Sequence, residues 1–151
     1  MVKILQKLID QISELKVMEP DKVATLLGRR KRLLKEDGHH ATFELVGGGG
    51  LPFDQVEIRW IKSKSAGILF LQVPSSPAIP IKELIAPWDH YPCAPMLPHL
   101  RDPAGMVTHC IRIPMGELRI PYYKAKDGLN YVHSIALDPF PILAWDKKRG
   151  S

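Results

Sequence analysis

The sequence lacks most of the features that identify a particular class of protein. Its two cysteines are too few for a disulfide-dense secreted scaffold, and we expect both to be free thiols. Aromatic residues make up only 7% of the chain. No run approaches the roughly 20 apolar residues of a membrane-spanning helix. Charged residues interrupt the amino terminus, so it has no signal-peptide core. These absences predict a cytoplasmic protein with no membrane partner.

What is present resembles an ordinary globular domain. Of the 151 residues, 45% are hydrophobic and 25% are charged. Fourteen are proline, mostly between positions 74 and 141, which favours short strands and loops over long helices. We expect a single domain over 1–151, with a helical part over 1–40, a sheet part over 41–140 and a charged tail over 141–151.

Helical patterns are strongest near the start of the chain. Apolar residues recur at helical spacing between residues 2 and 16, with charged residues on the opposite side. Pro20 at a first helical turn and Gly28 as a terminator bracket a second, shorter helix. A third helical segment is predicted over 81–85, ending before Pro87.

Alternating patterns then predict strands. Residues 41–46 form the first, and 51–73 read as a hairpin with a polar turn over 62–67. In its first arm Val56, Ile58 and Trp60 alternate with polar residues, whereas the second arm is an apolar run with both faces suited to burial. A meander follows, with strands over 107–113, 117–122 and 130–137. The predicted fold class is α+β: two N-terminal helices, an antiparallel sheet of five or six strands and one short inserted helix.

No motif assigns a cofactor or a metal. The glycines at 47–50 are followed by a strand and not by the Gly-Lys-Ser/Thr and helix of a phosphate-binding loop. Zinc donors occur at His90, Cys93, His99, His109 and Cys110, but their spacing is poor, because His109 and Cys110 should point to opposite faces of one strand. We therefore predict no cofactor and no metal.

Two alternative functions stay open. A cysteine hydrolase would use Cys93 as nucleophile, His133 as base and Asp138 to orient it, although Cys93 lies between Pro92 and Ala94 and not at a helix start. A nucleic-acid-binding protein would use the basic residues of 29–35, although no aromatic stacking platform lies nearby. Neither alternative is favoured.

A resemblance to a known family rests on four segments. They are VATLLG at 23–28, FDQVEIRW at 53–60, GILFL at 67–71 and VHSIALD at 132–138. In style and element order, residues 20–138 resemble small bacterial immunity proteins, which neutralise a toxin delivered between competing cells. The resemblance implies a non-enzymatic bacterial protein that binds a cognate toxin, and it transfers no functional residue.

The net charge of +5 implies that such a toxin presents an acidic surface. We assign no catalytic residues. The predicted partner-binding residues are exposed aromatic and basic groups, namely Trp88, Tyr91, Arg101, Tyr122, Tyr123, Arg29, Arg30 and Arg32. A long loop with five prolines is predicted over 86–105. In the competing interpretation, Trp88 and the tyrosines pack this loop against the sheet.

Overall fold

The computed structural model describes residues 2–48, 53–74, 76, 78–88, 90–92, 106–113, 115–123 and 130–139. The helices are α1 (Val2–Ser13), α2 (Pro20–Leu27) and α3 (Ile81–Ile85), with a 3-10 turn at Lys62–Lys64. The strands are β1 (Arg30–Glu36), β2 (His40–Val46), β3 (Gln55–Ile61), β4 (Ala66–Gln72), β5 (His90–Pro92), β6 (Met106–Ile113), β7 (Gly116–Tyr123) and β8 (Ser134–Asp138). The fold class is therefore α+β, as the sequence predicts.

The strands form one wholly antiparallel sheet in the order β1-β2-β3-β4-β8-β7-β6-β5. Strands β1 to β4 pair in chain order, and so do β5 to β8. The two groups join where β8 pairs with β4, with Leu137 opposite Leu69. As a result, β1 and β5 are the two edges of the sheet.

One face of the sheet, called the helix face below, carries the core. Ile58, Leu69, Leu137 and Leu118 lie opposite one another across four neighbouring strands and are fully buried. The buried apolar residues of all three helices belong to the same cluster. Burial of each such side chain contributes about 1.5–3 kcal/mol, so this cluster holds the helices on the sheet. The opposite face, called the outer face below, is only half-buried over β2, β3 and β4.

Helix α2 begins and ends where the sequence predicts. Pro20 occupies the first turn, where its missing N–H costs nothing. Gly28 ends the helix in the left-handed region, with φ of 64°, and donates its N–H to the carbonyl of Thr25. These local signals act independently of tertiary contacts, which is why the sequence alone locates the helix.

Helix α1 is held to α3 by polar contacts as well as by the core. The amide Nε2 of Gln6 donates to the carbonyls of Glu83 and Leu84, each at 3.0 Å. The indole Nε1 of Trp88 donates to Oδ1 of Asp10 at 3.3 Å. Trp88 therefore links the end of α3 to α1.

A tight turn joins β1 to β2. Oδ1 of Asp37 accepts hydrogen bonds from the N–H groups of His39 and His40, each at 2.7 Å, and the N–H of Asp37 donates to the carbonyl of His40. The bonds from His39 and His40 lower the pKa of Asp37, because they favour its charged form. This turn fixes the register of β1 on β2.

The sheet is larger than the sequence predicts, with eight strands in place of five or six. The predicted helical part over 1–40 ends at Leu27, because residues 30–36 form β1. Its residues are exposed on both faces, so they show no burial pattern that sequence analysis can detect. The predicted loop after α3 contains the short strand β5. The predicted charged tail over 141–151 lies outside the described residues.

Candidate protein-binding surface

The outer face presents a continuous row of side chains across the sheet. The row is set by the strand register and runs through Arg32, Glu44, Glu57, Phe70 and Ala136. All of these residues are exposed or half-exposed. The row therefore places three charged groups on one side of Phe70 and the small apolar Ala136 on the other.

Phe70 is the central apolar group of this surface. It lies on β4 and is half-buried, although four of the seven residues of that strand are buried. The guanidinium carbon of the exposed Arg59 lies 5.5 Å from the centroid of the Phe70 ring. This cation–π contact holds the arginine over the ring at an energy of about 0.5–1 kcal/mol for an exposed site. The contact therefore favours this arrangement of the two side chains in the free protein.

A shallow hollow lies beside Phe70 on the outer face. Its volume is about 360 Å³, and it is lined by Gln55, Glu57, Phe70, Leu71, Gln72, His133 and Ser134. The lining offers two amides, a carboxylate, an imidazole and a hydroxyl next to an aromatic ring. Such a mixture of hydrogen-bonding groups around an aromatic anchor suits recognition of a protein surface.

The row carries charges of both signs. Arg32 forms an ion pair with Glu44. Glu44 lies directly opposite Glu57 across β2 and β3, an arrangement of like charges that destabilises a sheet unless cations are near. Arg32 and Arg59 lie on the same face and supply those cations. The two arginines therefore offset the repulsion between the two carboxylates, which lie beside Phe70.

Strand β1, called the basic edge below, borders the outer face. All seven of its residues are exposed, and Leu33 and Leu34 are 52% and 47% exposed. The register places Arg30 and Lys35 on the outer face, opposite Val46 and Thr42. Among the described residues, neither of these two cations has an ion-pair partner. The basic edge thus carries available positive charge.

Arg29 has a structural role instead. Its Nη1 donates to the carbonyl of Leu45 at 3.2 Å and its Nη2 to the carbonyl of Phe53 at 3.0 Å. Burial lowers the pKa of the Arg29 guanidinium. The guanidinium therefore joins the end of β2 to the segment before β3, which removes Arg29 from the predicted partner-binding surface.

We expect Arg29→Met to lower the free energy of unfolding by about 2 kcal/mol, because it leaves the two carbonyls without their charged donor. Urea denaturation followed by circular dichroism measures the change. Arg30→Met is the matched control, since Arg30 is exposed and its replacement should change stability by less than about 0.5 kcal/mol. Equal stability of the two variants would contradict the structural role of Arg29.

The other predicted partner-binding residues are dispersed. Trp88 is half-buried against α1, and Tyr122 is buried at 8% exposure, with its ring stacked on His109 at 5.0 Å between centroids. The expectation that Tyr122 points outward is therefore wrong, because it faces the core. The backbones of Tyr91 and Tyr123 lie in β5 and β7. Arg101 lies outside the described residues.

The cysteines differ from expectation. Cys110 is disulfide-bonded, so the prediction of a free thiol there is wrong. The only other cysteine of the chain, Cys93, lies outside the described residues. His133 is exposed, and Asp138 is buried with Oδ2 at 3.5 Å from Nη2 of Arg119. The predicted orienting carboxylate is therefore engaged by an arginine.

The described residues contain neither a metal-binding cluster nor a membrane-spanning helix. Within the described ranges, no group of three His, Cys, Asp or Glu side chains is arranged to hold a metal ion. Of the helices that the structure describes, none has the length and apolar character to cross a bilayer.

The sequence pattern does not identify Phe70 or Arg59 as a site residue. It places Arg59 on the polar side of β3 and predicts that both faces of β4 are covered. One face of β4 is more buried than the other because the helices pack on only one side of the sheet. The apolar run of the strand does not specify which side that is.

No protein-family model matches the chain, and comparisons with curated proteins and with solved structures also find no match.

Proposed function

We propose that this chain is a non-enzymatic protein-binding module that docks its partner on the outer face of the sheet. The observation that carries the proposal is the cation–π pair of Phe70 and Arg59 on a half-exposed sheet face. Aromatic and arginine side chains are enriched at the centres of protein interfaces, where they supply much of the binding energy. Glu57 and Gln72 surround the pair with groups that can hydrogen-bond a partner.

Electrostatics supports an acidic partner. The chain carries a net charge of +5, and the basic edge adds Arg30 and Lys35 along one side of the outer face. Positive charge beside an interface raises the association rate with an acidic surface and disfavours basic competitors. We therefore assign the basic edge to partner steering and the Phe70–Arg59 pair to affinity.

The specific partner that we propose is a cognate bacterial toxin with an acidic surface. This form of the proposal rests on the resemblance of the sequence to immunity proteins and on the net charge. A toxin partner should kill cells when it is expressed alone and should be harmless when this chain is co-expressed. A cysteine hydrolase is not proposed, since Arg119 engages Asp138, the carboxylate predicted to orient the base.

We expect Arg59→Ala to weaken binding of the purified partner at least tenfold, which corresponds to about 1.4 kcal/mol. The substitution removes an exposed group and one cation–π contact, so it should lower the free energy of unfolding by no more than about 1 kcal/mol. Phe70→Ala should weaken binding by a similar or larger factor. Isothermal titration calorimetry with the partner that co-purifies in stoichiometric amount measures both.

The matched control is Lys82→Ala, which truncates an exposed side chain on α3, far from the outer face in the fold. It should bind with wild-type affinity. The proposal fails if Arg59→Ala and Lys82→Ala both bind normally, or if both weaken binding by the same factor.

A further inference from the structure

Within the part of the chain that the structure describes, the basic edge has backbone groups with no strand beside them, as well as charge. Asp37 and His40 form a hydrogen-bonded pair at the β1–β2 turn. Hydrogen-bonded and non-hydrogen-bonded pairs alternate along an antiparallel ladder. Following the register from this turn, the N–H and C=O groups of Lys31, Leu33 and Glu36 point away from β2. They lie at the open side of the sheet.

The two edges of the sheet differ in a way that singles out β1. Strand β5 has three residues and ends in Pro92, which has no N–H to donate. Strand β1 has seven residues without proline, all of them exposed. A long edge strand that keeps its donors is a template for a further strand.

The side chains of β1 specify what kind of strand it would accept. Arg30, Arg32 and Lys35 lie on the outer face, where glutamate or aspartate of an added strand would lie beside them. Leu33 lies on the helix face and offers an apolar contact. An extended segment with acidic residues at alternate positions and apolar residues between them is complementary to both faces.

The same charges disfavour a second copy of this chain. Two β1 strands placed side by side would bring Arg30, Arg32 and Lys35 of each copy next to those of the other, and like charges opposite one another destabilise a sheet. The irregularity in register between Leu33 and Lys35 further limits regular edge-to-edge pairing. The occupant is therefore an acidic segment and not the chain itself.

We propose that β1 binds an extended acidic segment of the partner as a ninth, edge-added strand. The inference rests on the proposed protein-binding function and names its partner chemistry. Backbone hydrogen bonds from Lys31, Leu33 and Glu36 hold the segment, and Arg30 and Lys35 select its acidic side chains. The outer face then contacts the body of the same partner.

The test uses a synthetic eight-residue peptide of alternating glutamate and valine with blocked ends. Nuclear magnetic resonance follows amide exchange in the full chain with and without the peptide. We expect exchange at the amides of Lys31, Leu33 and Glu36 to slow at least tenfold on binding. An N-methylated version of the peptide keeps its charges but cannot pair as a strand, and it should bind at least tenfold more weakly.

A charge-reversal variant tests the selection of acidic residues. Arg30→Glu combined with Lys35→Glu should reduce peptide affinity at least tenfold. The matched control is Lys3→Glu with Lys7→Glu, which makes the same change in net charge on exposed positions of α1 and should bind normally. Equal loss in both double variants would overturn the assignment to β1.

The outcomes separate this inference from the proposed function. If the N-methylated peptide binds as well as the parent, or if the chain alone is a dimer with protected β1 amides, then addition of an acidic strand is wrong. In either case Arg59→Ala should still weaken partner binding, and the outer-face proposal would stand. If instead the peptide protects β1 while Arg59→Ala leaves partner binding unchanged, the edge site stands and the outer-face proposal fails.

Discussion

Gly116→Ala should lower the free energy of unfolding by about 3 kcal/mol or more, which is the sum expected for backbone strain and overpacking. Gly116 begins β7 with φ of 156°, a conformation that side chains rarely adopt. An added Cβ would also clash with the carbonyl oxygen of Asp138 and would lie 2.6 Å from Cα of Pro139. Because both neighbours are backbone atoms, no rotamer change relieves the contact.

The substitution Gly116→Ala should also disturb strand pairing in the middle of the sheet. Strand β8 lies between β4 and β7, so forcing Asp138 away from Gly116 disturbs the pairing that joins the two halves. Gly38→Ala is the matched control, since a Cβ at Gly38 would meet nothing within 4 Å. Urea denaturation compares the two. Wild-type stability of Gly116→Ala, or an equal loss in Gly38→Ala, would contradict the close approach of β7 and β8.

Reduction of the protein should lower its free energy of unfolding by about 3 kcal/mol, a typical contribution of a native disulfide. The reason is that Cys110 is disulfide-bonded and fully buried on β6, so breaking the bond frees the unfolded chain more than the folded one. Thermal denaturation with and without a phosphine reductant measures the effect. Cys110→Ser should reproduce the loss and should then be insensitive to reductant.

Alkylation of the denatured, unreduced chain provides an independent readout. We expect no alkyl group to be added, because no free cysteine is found among the described residues. Two alkylated thiols together with a melting temperature unaffected by reductant would contradict the disulfide. A covalent dimer in a non-reducing gel would show that the bond lies between chains.

The disulfide also bears on where the protein folds. Structural disulfides form and persist mainly in oxidising compartments. The expectation of a cytoplasmic location drew partly on free thiols, and that support is lost for Cys110. Two cysteines in 151 residues give no spacing pattern from which a single bridge can be deduced, so the sequence offered little basis for this bond.

Local signals made much of the fold predictable. Pro20 and Gly28 bracket α2, and the alternation of Val56, Ile58 and Trp60 locates β3, because each signal acts within a few residues. Strand β1 was missed since exposed charged residues carry no periodicity. The pairing of β4 with β8 joins residues more than 60 positions apart, and no local pattern specifies such a contact.

The candidate binding surface was predictable only in part. Arg30 and Arg32 were identified from the density of basic residues, and both lie on the exposed basic edge. Arg29 belongs to the same run, yet it bonds backbone carbonyls, because it lies one residue before the strand and beside the end of β2. Phe70 resembles any strand-core phenylalanine in sequence. Its exposure follows from the packing of the helices on the other face.

Site-specific photocrosslinking tests the protein-binding proposal most directly. A benzophenone side chain is placed at Gln72, which is exposed at the rim of the outer face, or at Lys82, which is exposed on α3. We expect the partner to be captured from Gln72 in stoichiometric yield and not from Lys82. Capture from Lys82 alone, or from neither position while the partner still co-purifies, would contradict binding through the outer face.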